Sequence, residues 1–427
     1  MTSASAPARS EAVPAGGVAA AFASLRAPHF AKVWAAGWIW SIARWGMGFL
    51  GAFVVNDLTG SPRLVQLTGS FMWGPLLVAG LVGGALSDRV DRRLAVLGQL
   101  GLMIPLTALI GVLALGDALQ TWMIYPFLLV VGFGWIVDMT VRRAMIYDLV
   151  GEAHVNGAMA LEMLSSSAGL AMGALIGGTV IEALGVGQAY LVIAGGLAVA
   201  LVVMWRVPSV ARAVPAGGAA PAGGAAPPAR EPFLRSVADG FRALPGNRAL
   251  VSILGVTVFV DFFHFSFFPI VPLIGKRLDV SPTLIGLLSA SSGLGMMAGS
   301  LWVAARRPHR GRAYVAGSMA ACALLVGFAS VGTYALVLAF ALAAGVSMGL
   351  FGSTQTALAI TSTSAELRGR AMGLLSMAIG ALPVGMYALG ELAQAVGPTK
   401  ALVIFNVAGL VGLAVWVKVR PEVLSVR

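Results

Sequence analysis

Three ionisable side chains interrupt long apolar stretches of this 427-residue chain: Arg44, Asp261 and His264. Asp261 and His264 are three residues apart, a spacing that places both side chains on one face of a helix. Histidine exchanges protons near neutral pH, and a carboxylate shielded from water can do the same. An arginine can hold an anionic group. The pattern therefore indicates proton exchange beside an anion-binding group, with a static Arg44–Asp261 pair and a hydrogen-bonded His264 as the alternative.

These residues stand out because charge is scarce in the chain. Only 11% of the residues are charged, whereas 58% are hydrophobic. A soluble domain carries about 25% charged residues, so most of this surface must face lipid. A dozen helical crossings at about 20 residues each would use about 240 residues. The composition excludes a soluble enzyme, a disordered chain and a single-pass receptor, and the 55 glycines favour packed helices over a β-barrel.

Apolar runs fall into two sets of six around a Pro/Gly/Ala-rich segment. We therefore predict an all-α membrane protein with twelve transmembrane helices in two pseudo-symmetric six-helix bundles. The predicted parts are a disordered cytoplasmic tail (1–27), an N-terminal bundle (28–207), a cytoplasmic linker (208–248), a C-terminal bundle (249–419) and a cytoplasmic tail (420–427). Residues 233–244 of the linker have helical spacing, which fits either a helix on the membrane surface or an ordinary linker helix.

Positive charge predicts the orientation of these helices. With the N-terminus in the cytoplasm, the inner segments hold 23 Lys and Arg residues and the outer segments hold 4. This asymmetry follows the positive-inside rule, and it predicts a multi-pass inner-membrane protein with both termini cytoplasmic. The net charge of +11 then reflects membrane topology and not a nucleic-acid partner. The expected partners are the lipid bilayer, protons and a small-molecule substrate, and we expect a monomer.

The loop after the second apolar run carries a small residue, an acid and a basic cluster. Its key positions are Gly84, Asp88, Arg89, Arg92 and Arg93. This loop resembles the signature of the major facilitator superfamily. Asp91 stands at a position where the superfamily usually has glycine. This variant of the loop resembles the bacterial exporter branch that includes the enterobactin exporter and macrolide efflux proteins. Residues 58–62 and 366–372 resemble the same branch.

The resemblance implies a two-bundle transporter whose first and seventh helices line a central cavity. It also implies that the signature loop forms an inner gate, with Asp138 as the acid that pairs with the signature arginines. Glu162, in the inner part of the fifth run, is a further candidate for proton coupling. Phe265 and Phe268 lie one turn from Asp261 and His264, where they would either stack on an aromatic substrate or face lipid.

A row of glycines follows in the fifth run, at Gly169, Gly173, Gly177 and Gly178. Glycines every four residues form a groove that lets another helix approach closely. Residues 173–178 also resemble the antiporter motif of drug exporters, although Ala174 stands where that motif has proline. Both interpretations, close packing and an antiporter motif, remain open.

Signals for other chemistry are missing from the sequence. No phosphate-binding loop, HExxH, CxxC or GxSxG motif is present, so we expect neither an enzyme nor a bound cofactor. Asp261 and His264 are too few ligands for a metal site. The sequence therefore predicts a proton-coupled secondary transporter that exports a small amphipathic or anionic molecule, such as a siderophore or drug. The alternatives are a proton-coupled importer of a small metabolite and a non-transporting membrane scaffold or sensor.

Overall fold

The computed structural model describes residues 24–77, 91–208, 246–306, 308–364 and 368–426, without the side chains of residues 152, 153, 156 and 369. The described ranges contain 11 helices that are long and apolar enough to cross a membrane. One more helix, Pro62–Trp73, continues in a 3-10 turn, Gly74–Leu77, and falls in the second apolar run of the sequence. The predicted all-α fold with two sets of six spans is therefore confirmed. The predicted helix at 233–244 and three signature residues, Gly84, Asp88 and Arg89, lie outside the described residues.

The spans of the N-terminal half are Phe30–Thr59, 62–77, Arg92–Leu115, Thr121–Gly151, Gly157–Leu184 and Val186–Trp205. Those of the C-terminal half are Arg248–Arg277, Pro282–Arg306, Arg310–Ser330, Tyr334–Thr361, Arg370–Val396 and Pro398–Val419. We number them span 1 to span 12. Short turns join each odd-numbered span to the next at one end of the molecule. We call this the outer end, after the orientation predicted from the positive charges, and the opposite end the inner end.

Local sequence signals explain the tight turns at the outer end. Span 2 begins where the Ser61 hydroxyl accepts a hydrogen bond from the Leu64 backbone N–H, with proline at the first helical position. Gly185 and Gly397, with φ of 94° and 86°, form the turns after spans 5 and 11. Glycine suits these two turns because residues with a side chain rarely adopt positive φ.

Two spans contain wide π-helical turns, and both turns carry ionisable residues. Span 4 changes from α-helix to π-helix at Asp138–Arg142. Span 7 does so at Val260–His264 and then tightens into a 3-10 helix, Phe265–Ile270. Pro269 lacks a backbone N–H, which removes one α-helical hydrogen bond in this region. Such departures from the α-helix often occur at functional sites.

Candidate functional site

A cavity of about 50 Å³ lies between the two halves of the molecule. Spans 1, 2 and 5 of the N-terminal half face spans 7 and 8 of the C-terminal half around it. Its walls are largely apolar, with rings from Trp45, Trp73 and Phe268 and a hydroxyl from Ser289. A cavity of this size holds a few water molecules. The halves are therefore packed closely around the cavity in this conformation.

Arg44 of span 1 is buried behind this cavity in a cage of indole rings. Its guanidinium carbon lies 4.5 Å from the ring centre of Trp45, 5.2 Å from that of Trp135 and 5.7 Å from that of Trp73. Such cation–π contacts favour a desolvated cation. Among the ion pairs of the described residues, none involves Arg44. The alternative of a static Arg44–Asp261 pair is therefore wrong for this conformation, because Arg44 contacts rings and no carboxylate.

A second buried arginine, Arg142 at the end of the span 4 π-helix, binds two carboxylates at once. Its Nη2 donates to Oδ2 of Asp138 at 3.1 Å and its Nη1 to Oε2 of Glu162 at 2.9 Å. Its Nε also contacts Asp138, and its Nη2 also contacts Glu162. All three side chains are buried. The cluster joins span 4 to span 5.

Asp138 pairs with an arginine that the sequence analysis did not consider. The acid binds Arg142, four residues further along its own span, and not Arg92 or Arg93, whereas Arg89 lies outside the described residues. Arg92 instead pairs with Asp148. Arg93 donates from Nε to the carbonyl of Val207 at 2.6 Å. The two described signature arginines thus hold inner ends of spans within the N-terminal half.

Asp261 and His264 lie buried in the π-helical turn of span 7, at 4% and 0% exposure. Oδ2 of Asp261 and both ring nitrogens of His264 make no hydrogen bond within the described chain, although the backbone of Ala321 lies beside the histidine ring. A neighbouring network links the hydroxyls of Thr257 and Tyr314 at 2.7 Å, but it donates no hydrogen bond to the free Asp261 oxygen. Buried polar atoms without partners are rare and need an explanation.

The two candidate phenylalanines have different surroundings. Phe268 lines the cavity, and its ring centre is 5.8 Å from that of Trp45 in the other half. Phe265 packs against Phe351, with ring centres 6.0 Å apart, and is not among the residues that line the cavity. Of the two candidate phenylalanines, Phe268 is therefore the one that is placed to contact a molecule in this cavity.

The glycine row of span 5 makes close helix contacts. A Cβ atom on Gly169 would lie 2.2 Å from the Ser41 hydroxyl, and one on Gly177 would lie 2.7 Å from Leu50. On Gly173 it would lie 2.5 Å from the carbonyl oxygen of Ile42. All three glycines thus face span 1. Gly178 faces the other half, where a Cβ would lie 2.3 Å from the carbonyl oxygen at the start of span 8.

Polar contacts close the gap between the halves at the outer end. They are Arg63–Glu391 at 3.0 Å, Ser61–Gln394 at 2.9 Å, Gln66 with the Ser266 carbonyl at 3.0 Å, Ser70 with the Pro383 carbonyl at 3.0 Å, and Glu182 with the Thr283 N–H at 3.0 Å. We call these residues the outer contacts. The sequence analysis placed none of them in the site, although Arg63 and Glu391 are opposite charges at span ends.

Two six-span halves around a central cavity define a membrane transporter fold in which access would alternate between the two ends. The family model described as Major Facilitator Superfamily matches residues 33–384 and 253–426. The chain belongs to the major facilitator superfamily, as the signature loop indicated.

Individual relatives agree with this assignment. The enterobactin exporter EntS of Shigella flexneri is 26% identical over 345 residues, which cover 77% of this chain and 76% of that protein. The MFS-type transporter YfiS of Bacillus subtilis (strain 168) is 23% identical over 340 residues, 77% of this chain and 78% of that protein. The crystal structure of a POT family transporter in complex with 5-aminolevulinic acid aligns with a TM-score of 0.73, at 12% identity, over 93% of this chain and 97% of that one.

Proposed function

We propose that this chain is a proton-coupled exporter of a small anionic or amphipathic molecule and that it works by alternating access. The observation that carries the proposal is Arg44, a buried cation near the cavity that has three indole contacts and, among the described residues, no carboxylate partner. An unpaired buried cation is costly, so it favours an anionic ligand. The ring faces of Trp45 and Phe268 suit an apolar or aromatic part of the same ligand.

Asp261 and His264 are the proposed proton-coupling pair. Each has a buried polar atom without a hydrogen-bond partner, and both lie in the half opposite Arg44. A carboxyl group can take up or release a proton when its contact with water or with a cation changes. Opening the halves would change that contact and so link proton release to substrate movement. Glu162, paired with Arg142, is a weaker candidate for this role.

The direction and the orientation belong to the same proposal. Export is favoured by the similarity to a protein named as an enterobactin exporter. The 23 to 4 distribution of Lys and Arg favours an inner-membrane location with both termini cytoplasmic. The outer contacts then correspond to a conformation closed toward the outside. We propose that the protein acts as a monomer.

The test is transport into inverted membrane vesicles with an imposed pH gradient, using a panel of aromatic carboxylates, siderophores and cationic drugs. We expect accumulation of anionic members, with proton movement in the opposite direction, and its loss in Arg44→Gln. Accumulation only when the gradient is reversed would favour the importer. A scaffold or sensor would be favoured if the protein reaches the membrane but transports no member of the panel, and if cells that carry Asp261→Asn show the same phenotype as cells with the unmodified chain.

A further inference from the structure

One guanidinium neutralises two buried carboxylates of the N-terminal half, Asp138 and Glu162. Arg142 reaches both of them because span 1 leaves room for it. A Cβ atom on Gly37 would lie 2.2 Å from Nη1 of Arg142, so the guanidinium passes directly over this glycine. The cluster therefore touches span 1 as well as spans 4 and 5.

The same face of span 1 carries Arg44. Gly37 and Arg44 are seven residues apart, which is about two helical turns, so Arg44 and the guanidinium of Arg142 lie along the same face of span 1. Arg44 contacts the ring of Trp135, which precedes Asp138 by one turn. The negative charge of Asp138 acts on Arg44, and so does the positive charge of Arg143. Asp138 thus interacts with two arginines and accepts hydrogen bonds from one of them, Arg142.

This arrangement leaves a surplus of positive charge at Arg44. Among the described residues, the group holds three cations, Arg44, Arg142 and Arg143, against two carboxylates, Asp138 and Glu162. Both carboxylates are bound by Arg142. Without Arg142, Asp138 would be a buried carboxylate with no partner, which is strongly unfavourable, and Arg44 would be the cation available to it on the same face of span 1.

We infer that Arg142 is a positioning residue that sets the preference for anions: by holding Asp138 and Glu162, it keeps Arg44 free for the anionic group of the substrate. This inference rests on the proposed role of Arg44. It assigns to the buried cluster a task beyond joining spans 4 and 5. A purely structural role would predict that loss of Arg142 weakens the binding of charged and neutral ligands equally.

The test compares an aromatic anion with a neutral compound of the same shape. Benzoate and benzamide are titrated against the purified full-length chain in nanodiscs, with intrinsic tryptophan fluorescence as the signal and Arg44→Gln as the baseline. We expect Arg142→Gln to weaken benzoate binding at least tenfold while benzamide changes less than twofold, because Asp138 then pairs with Arg44. Adding Asp138→Asn should restore benzoate binding to within about threefold of the unmodified chain.

Arg277→Gln is the control for the loss of a hydrogen-bonded arginine elsewhere in the fold. It leaves Arg142 with both of its contacts to Asp138, so benzoate binding should change less than threefold. If Arg142→Gln does not fold, Arg142→Lys provides the same test, because an ammonium group cannot bind two carboxylates as a guanidinium fork does. This variant should weaken benzoate binding by a smaller factor, again restored by Asp138→Asn.

The outcomes separate the inference from the proposed function. Loss of benzoate binding in Arg44→Gln, together with unchanged binding in Arg142→Gln, overturns the inference alone. Equal weakening of benzoate and benzamide that Asp138→Asn does not restore also overturns it. Benzoate binding that is the same in Arg44→Gln and the unmodified chain contradicts the role of Arg44, and with it the proposed function.

Discussion

Arg63 of span 2 and Glu391 of span 11 form an ion pair between the two halves, with Nε and Oε1 3.0 Å apart. Both side chains are partly exposed at the outer end, and pairs of this kind contribute about 0–1 kcal/mol each. Hydrogen bonds such as Ser61–Gln394 surround it. The outer closure is therefore a sum of weak contacts, which suits an interface that must open.

Removing this pair should shift the conformational equilibrium modestly. We expect Glu391→Gln to raise the outward-open population by up to about fivefold, because the ion pair contributes less than about 1 kcal/mol to the stability of the outward-closed conformation. The measurement is the electron–electron distance between spin labels at the outer ends of spans 1 and 7. The exchanged pair Arg63→Glu with Glu391→Arg should return the distances to those of the unmodified chain. Failure of the exchange would show that the pair does not contribute to closure.

A side chain on Gly173 should destabilise the N-terminal half. In Gly173→Ala the new Cβ would meet the Ile42 carbonyl at 2.5 Å, so spans 1 and 5 must separate. Overpacking of this kind costs about 1–3 kcal/mol. Thermal unfolding in detergent should therefore occur at a lower temperature. Gly195→Ala in span 6 is the control, because its Cβ meets nothing within 4 Å. Equal unfolding temperatures for the two variants would contradict the close packing.

Asp261→Asn and His264→Ala should uncouple transport from the proton gradient. An amide cannot release a proton, so we expect Asp261→Asn to retain substrate exchange across vesicles while losing at least 90% (about tenfold) of gradient-driven accumulation. The measurement is counterflow with and without an imposed pH gradient in proteoliposomes. If both variants keep gradient-driven accumulation, the coupling role assigned to this pair is wrong.

We expect Phe268→Ala to affect substrate binding and Phe265→Ala to affect stability. Phe268 lines the cavity, so its loss should raise KM for an aromatic substrate by about tenfold, in line with the energy of an aromatic contact. Phe265 packs within the C-terminal half, so its loss should lower the unfolding temperature with little change in KM. Substrate kinetics and thermal unfolding of both variants provide the comparison. Similar KM changes in both would contradict a substrate site at this cavity.

The sequence was sufficient for the fold because each apolar run had the length of a membrane span. It was not sufficient for the partner of Asp138. Arg142 lies only four residues away from Asp138, but the second partner of Arg142, Glu162, lies beyond the helix kink at Gly151, where φ is 67°. The ring contacts of Arg44 could not be predicted either, because they depend on how spans 1, 2 and 4 pack together within the N-terminal half. Tryptophans at 45, 73 and 135 give no periodic signal that would place them around one arginine.

The π-helical turns have a mechanical consequence. Each one contains one residue more than an α-helical turn needs, and that extra residue can pass along the helix as hydrogen bonds are exchanged one at a time. Such a passage would rotate the intervening side chains by about 100° without breaking the span. Asp261 and His264 lie within one of these turns and Arg142 ends the other. The groups proposed to bind protons and to control anion preference thus lie where the helical register of a span can shift by one residue while the two ends of the span stay in place.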